Sequence, residues 1–151
     1  MATTETDTPT TPIGPPRPMP DDLTRFFWEG VDAHELRILR CDNCQRYIHW
    51  PKVVCRFCLS TDLSPARVSG RGTVATFTLP LQPFHPYFRD KIPYDLAVVE
   101  LEEQEGLKLV TNIVDIPPED VRVGLPVEVA FREVAPGLTL PLFRPAGATG
   151  A

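Results

Sequence analysis

The sequence predicts a mainly β protein, with one short helix, a cysteine-built ribbon and a small barrel, and three features carry that expectation. Eighteen of the 151 residues are proline, more than double the usual share of about 5%, which limits helix because proline lacks an N–H and clashes with the preceding turn. All four cysteines fall in one short window as two C-x-x-C pairs. From residue 70 onward, short runs rich in β-branched and aromatic residues alternate with turn residues. With 42% apolar and 23% charged residues the chain can build a core, which excludes a wholly disordered protein. The length suits one compact domain with a small satellite.

Residues 1–20 hold six prolines and six threonines, no aromatic residue and four hydrophobes. Such a composition cannot offset chain entropy by burial, so a disordered leader is expected, with docking as an extended strap the less common alternative. Over 21–34 the texture changes. Asp21 and Asp22 open a segment with apolar groups at Leu23, Phe26 and Phe27 and a closing Gly30, the pattern of a short amphipathic helix. Phe26, Phe27 and Trp28 exceed one narrow stripe, so at least one is expected to rest on another domain or subunit. A strand over 35–40 then leads into the cysteines.

The ribbon is expected over 35–66. Cys41, Cys44, Cys55 and Cys58 form two C-x-x-C turns separated by ten residues. Each turn lets two thiolates converge on one tetrahedral ion, and two turns complete the shell with no cysteine left over. Two disulfides or a pair of redox dithiols are the rival readings. An acidic chain without a signal sequence argues for a reducing compartment, and a thioredoxin-like motif needs only one pair. The metal reading therefore leads, with Zn2+ as the expected ion, and iron fits the same four-thiolate geometry of rubredoxin-type sites. Four thiolates leave no position open for water or substrate, so the ion is expected to be structural. Four thiolates and a dication shift the formal charge from −5 to −7. Arg40, Arg46, Lys52 and Arg56 beside the knuckles are expected to screen it.

The remaining strands are expected at 73–79, 94–101, 107–114, 126–134 and 138–143, with one helical turn over 116–121 introduced by two prolines and two acids. Five strands with a short helical element between the third and fourth is the order of an OB-fold, here placed over 67–145; an SH3-like barrel fits the strand count but explains the turn at 117–122 less well, and residues 146–151 are expected to be a disordered tail. A net charge of −5 and a pI near 5.2 argue against nucleic acid and anionic membrane surfaces as partners. No long apolar run or basic leader appears, so a cytoplasmic protein is expected.

Further residues carry a resemblance. Phe27-Trp28, Leu39-Arg40-Cys41-x-x-Cys44, Pro51, Cys55-x-x-Cys58, Ser69-Gly70-Arg71-Gly72-Thr73-Val74, Ile92-Pro93-Tyr94, Val98-Val99-Glu100-Leu101 and the stretch 138–145 together resemble the acyl-CoA-associated OB-fold family, which carries an N-terminal rubredoxin-like zinc ribbon. The family's frequent glycine after each C-x-x-C is replaced by Gln45 and Leu59, which predicts some strain in the knuckles. Its common Pro-Pro-Arg is Trp50-Pro51-Lys52, and its usual Cys-Pro is Cys55-Arg56. The resemblance implies a non-catalytic accessory subunit that stabilises a thiolase-fold enzyme, a thiolase-like aldolase or a hydratase acting on coenzyme A thioesters. Such a subunit helps form the acyl-CoA channel, for instance in steroid or lipid side-chain degradation.

Partner or acyl-CoA contacts are expected on the long loop over 80–93, stiffened by four prolines and carrying Phe84, His85, Tyr87 and Phe88, and at Tyr94 just beyond it, with the aromatics serving as a lid on the barrel mouth an equal alternative. His85 has no nucleophile nearby and only Asp90 and Asp95 as acids, so it is read as a contact or packing residue and not as a base. Coenzyme A phosphates need cations; Arg67, Arg71, Arg89 and Lys91 flank the site, with Arg71 between two glycines preferred, although a strand-start bulge explains those glycines equally. No Ser-His-Asp set, P-loop or dinucleotide fingerprint occurs. Two other classes stay open, a nucleic-acid-binding ribbon and OB module, and a rubredoxin-like electron carrier.

Overall fold

The computed structural model describes residues 13–147. Helix α1 spans Arg25–Asp32 and is preceded by a turn that Asp21 organises. The Asp21 carboxylate accepts from the N–H groups of Leu23 (3.1 Å) and Thr24 (2.9 Å), while the Thr24 hydroxyl accepts the Asp21 N–H at 3.0 Å, a reciprocal cap. The Thr24 hydroxyl also donates to this carboxylate and, as the largest effect, holds its pKa below the usual value. Gly30 does not end the helix as the sequence pattern suggests; it lies inside it. A Cβ there would meet Glu35 O at 2.8 Å and the Arg37 side chain at 2.9 Å, so the glycine serves the close return of the chain.

The chain then forms β1 (Arg37–Cys41), β2 (Tyr47–Ile48) and β3 (Leu63–Arg67), an antiparallel sheet in the order β2-β1-β3. Beyond it come β4 (Arg71–Thr78), β5 (Leu96–Leu101), β6 (Lys108–Thr111), β7 (Pro126–Ala135) and β8 (Leu138–Pro145), with single 3-10 turns at Pro86–Phe88 and Pro118–Asp120. The second sheet runs β6-β5-β4-β7-β8. It curls until Ile113 forms a parallel bridge with Phe143; the Val114 N–H donates to Phe143 O at 2.7 Å, and the Phe143 N–H to Asn112 O at 3.1 Å. A first strand flanked by the second and fourth, with third and fifth meeting in parallel, makes the partly open five-stranded OB-fold barrel that the strand order predicts. The helical element sits between the third and fourth barrel strands, as expected.

Strand β1 divides two cores. Successive side chains point to opposite faces of a strand, so Leu36 and Ile38 enter the barrel cluster while Leu39 and Cys41 enter the ribbon cluster. Phe27 and Val31 of α1 join the barrel cluster, Trp28 packs on it half-buried, and Phe26 touches both clusters. The aromatic triplet is therefore absorbed largely within the chain. Of the leader, residues 1–12 lie outside the described residues, and 13–20 contain no helix or strand. Of the tail, 148–151 likewise fall outside them. No helix among the described residues is long and apolar enough to cross a membrane.

Candidate metal centre and flanking surfaces

The four cysteine sulfurs converge. All four Sγ atoms lie within 4.8 Å of one another, with Cys41–Cys58 and Cys44–Cys55 each at 3.6 Å. Metal–sulfur bonds of about 2.3 Å in a tetrahedron place sulfurs about 3.8 Å apart, so the cluster fits one thiolate-bound ion. Two matched turns produce it. In the first, the Gln45 N–H donates to Cys41 O and the Cys41 N–H to Arg46 O; in the second, the Leu59 N–H donates to Cys55 O and the Cys55 N–H to Ser60 O, all at 2.9 Å. Closing each turn puts Gln45 at φ 64° and Leu59 at φ 62°, the left-handed region that costs a non-glycine residue about 1–2 kcal/mol. The strain anticipated from the missing glycines is present at those two residues.

Electrostatics point the same way. The Arg46 N–H favours the Cys44 thiolate, yet burial and three neighbouring sulfurs push its pKa up to about 12. The Asn43 amide, 3.5 Å from Cys58 Sγ, and the Ser60 N–H draw Cys58 down to about 6. A bound cation allows all four to be thiolates at once. Around the cluster, Arg46 and Arg56 lie 4.6 and 4.7 Å from the Phe57 ring, and Arg40 lies 5.3 Å from that of Tyr47. His49 stands apart from the sulfurs. Its ring stacks on Trp50 at 4.5 Å and lies 5.9 Å from Phe27, its buried Nε2 has no partner among the described residues, and burial lowers its pKa to about 4, leaving it neutral.

The loop between β4 and β5 brings three of the expected contact residues together. Phe88 stacks on Tyr94 at 4.9 Å and meets Tyr87 edge-on at 5.1 Å, and Lys91 lies 4.6 Å from the centre of the Tyr87 ring. His85 caps the 3-10 turn, its Nδ1 accepting the Tyr87 N–H at 3.2 Å. Phe84, on the same loop, is 83% exposed.

Arg71 is elsewhere. Its guanidinium pairs with Glu102 at 2.5 Å in a hollow of about 380 Å3 that Glu100 and Glu105 also line, and no residue lines both this hollow and the aromatic ones. The flanking glycines have a packing reason, since a Cβ on Gly70 would strike Val129 and one on Gly72 the Glu100 carbonyl.

Two structural residues escape sequence reasoning. Gln104, within the acidic turn after β5, clips the ribbon to the barrel through both main-chain groups of Tyr47, at 2.9 and 3.1 Å. Buried Asp95 accepts the Ile113 N–H at 2.6 Å beside the barrel's closing bridge, and desolvation raises its pKa. An acid within the expected strand 94–101 was the only signal for the second, and the first had none.

A four-thiolate ribbon fused through one strand to an OB-fold barrel defines the class. Family models match both parts: "ChsH2, rubredoxin-like zinc ribbon domain" matches residues 28–64, and "ChsH2, C-terminal OB-fold domain" matches 66–132. A DUF35 domain-containing scaffold protein of Methanocaldococcus jannaschii is 34% identical over 116 residues, covering 76% of this chain and 80% of that protein. The chain belongs to this DUF35 family of ribbon and OB-fold proteins. Among solved structures, a chain of "Ltp2-ChsH2(DUF35) aldolase" is 38% identical, with a TM-score of 0.77 over 86% of this chain and 99% of that one. Two longer relatives also match, a probable enoyl-CoA hydratase alpha subunit of Thermomonospora curvata (39% identical, 87% of this chain) and the 3-oxo-4,17-pregnadiene-20-carboxyl-CoA hydratase alpha subunit of Mycobacterium tuberculosis (35%, 80% of this chain). The chain spans 40% and 41% of their lengths.

Proposed function

We propose that this protein is a non-catalytic accessory subunit of an enzyme acting on acyl-CoA thioesters. The observation that supports the reading most is the near-complete coverage of the DUF35 chain in an aldolase assembly, joined by the match to two CoA-hydratase alpha subunits, one of them for a steroid-derived thioester. The partner of this chain is then a thiolase-like aldolase or a hydratase, and the partner holds the reacting groups. In this reading Cys41, Cys44, Cys55 and Cys58 hold Zn2+, which supplies no reaction step because the four thiolates close its shell. The ion orders the ribbon. Tyr87, Phe88 and Tyr94 give the aromatic contact surface toward partner or acyl chain, exposed Phe84 extends it, and Arg89 and Lys91 are the cations nearest to it in sequence for the phosphates of coenzyme A.

Isolation of the tagged chain from its native host under mild conditions, with mass spectrometry of whatever accompanies it, tests the reading. A near-stoichiometric aldolase, thiolase-fold or hydratase subunit is expected. A zinc-loaded chain that emerges alone overturns the accessory role.

A further inference from the structure

Composition predicts a solvated leader, yet residues 15–20 lie against the barrel. Pro15 and Pro16 line a cavity of about 240 Å3 together with Tyr87, Phe88, Leu140 and Leu142. Pro18 and Pro20 line a neighbouring hollow of about 190 Å3 with Trp28 and Leu138. Between them Arg17 donates to the carbonyls of Pro136 (2.9 Å) and Gly137 (3.4 Å), in the two-residue turn joining β7 to β8. Burial repeats every third residue: Pro15 and Pro18 are half-buried, while Pro16, Arg17, Met19 and Pro20 are exposed. A polyproline II helix has three residues per turn, so positions 15 and 18 share one face.

We infer that the barrel carries a polyproline-recognition groove between its aromatic loop and the β7–β8 hairpin, and that its resident ligand is the chain's own segment 15–20. The parts match that mode of recognition. Aromatic rings offer flat slots to a stiff proline face, little conformational entropy is lost on docking, and an arginine between the prolines fixes register through backbone carbonyls. The segment walls the cavity that Tyr87 and Phe88 also line, so a partner that enters that cavity must displace it. Such a segment sets a threshold for partner docking: tethered a few residues from the groove, it competes at a local concentration of about 1 mM. The inference does not depend on who the partner is.

A labelled peptide of residues 13–22, titrated by fluorescence anisotropy, tests it against the full chain and against a chain beginning at Asp21. The shortened chain keeps the Asp21 cap and every residue of both buried clusters, and its fold is checked by circular dichroism. Saturable binding to the shortened chain is expected, about tenfold or more weaker for the full chain, where the tethered segment 15–20 competes. Arg17→Ala in the peptide should weaken binding about fivefold, and Tyr87→Ala in the shortened chain should weaken it further. In the full chain, Arg17→Ala should instead improve peptide binding. Absence of saturable binding to the shortened chain, equal affinity for both chains, or indifference to Arg17→Ala overturns the inference. A full chain that elutes as a dimer and dissociates on adding peptide overturns the assignment to the chain's own segment.

Discussion

The ribbon buries four residues of its own, Leu39, Cys41, Ile48 and Cys55, whereas sixteen form the barrel cluster. Two of the ribbon's four, Cys41 and Cys55, belong to the cysteine cluster that fits a metal ion. A barrel of that kind is held by apolar area removed from water, at about 25 cal/mol per Å2, while a four-residue cluster cannot offset the entropy of ordering the loop between the knuckles. An ion held by the four cysteines would therefore take the place of a core in one half of the molecule, and β1, with one face in each cluster, would join a metal-dependent fold to a metal-independent one.

Metal removal should split the two halves, with the largest effect. Chelation, or Cys55→Ser, withdraws on the order of 10 kcal/mol of apparent binding free energy from the ribbon. Amides of 41–63 should lose hydrogen-exchange protection while those of Ala97, Val99 and Val127 keep theirs. Simultaneous loss in both halves would show that the barrel needs the ribbon to fold. The mirror experiment is Phe143→Ala. This fully buried ring sits at the closing bridge, and its loss should cost about 3–5 kcal/mol of barrel stability by denaturant unfolding while the metal stays bound under native conditions.

His49 sharpens the comparison through pH. Its folded pKa is lowered to about 4 by burial from an ordinary value of 6.5, so the unfolded chain takes up the proton first. Stability is complete above pH 6.5 and falls as the pH drops toward 4, by about 3 kcal/mol at the end of that window. Denaturant midpoints of the wild type and His49→Phe at pH 8, 6 and 5 should diverge only on the acid side. Both proteins carry the same four thiols, so the difference isolates the imidazole from acid release of the metal. Parallel profiles would place the protonated ring in solvent.

A smaller and opposite effect is expected at the second knuckle. Leu59 is 77% exposed at φ 62°, so its side chain gains little burial and carries backbone strain. Leu59→Gly should stabilise the metal-bound ribbon by about 0.5 kcal/mol, the relief of strain less the added freedom of the unfolded chain. A rise in the thermal midpoint of the holoprotein is the readout, and a fall would mean that Leu59 packs against something beyond the knuckle.

What could be read in advance follows the same division. Cysteine spacing fixes its own geometry, so the cysteine cluster was legible to the residue, and runs rich in β-branched and aromatic residues between turn residues placed all five barrel strands within a few residues of their observed ends. Strands β2 and β3 were not legible. The first is two residues long, and β3 reads Leu-Ser-Pro-Ala-Arg, whose proline faces Leu39 on an edge where no ladder N–H is needed. They exist because β1 offers two edges, which is tertiary information. The docked segment 15–20 was illegible for a related reason: composition reports what a stretch can bury by itself, and this one half-buries Pro15 and Pro18 beside Trp28 and the distant loop rings Tyr87 and Phe88.

Arg71 was the preferred cation on sequence grounds, and its surroundings lead to the smallest expected effect. The glycines on either side are needed to let β7 and β5 approach. Its guanidinium is held by Glu102, with Glu103 and Glu128 adding to the negative field and raising its pKa. A phosphate entering that hollow would meet Glu100, Glu102 and Glu105 before it met a free cation. Lys91, beside the aromatic rings, has no carboxylate partner among the described residues. If the proposed assembly acts on a CoA thioester, Arg71→Ala should therefore leave the thermal midpoint and the KM for that thioester essentially unchanged, while Lys91→Ala raises that KM and makes it less sensitive to salt. The reverse pattern would move the coenzyme A contact from the aromatic loop to the acidic edge of the barrel.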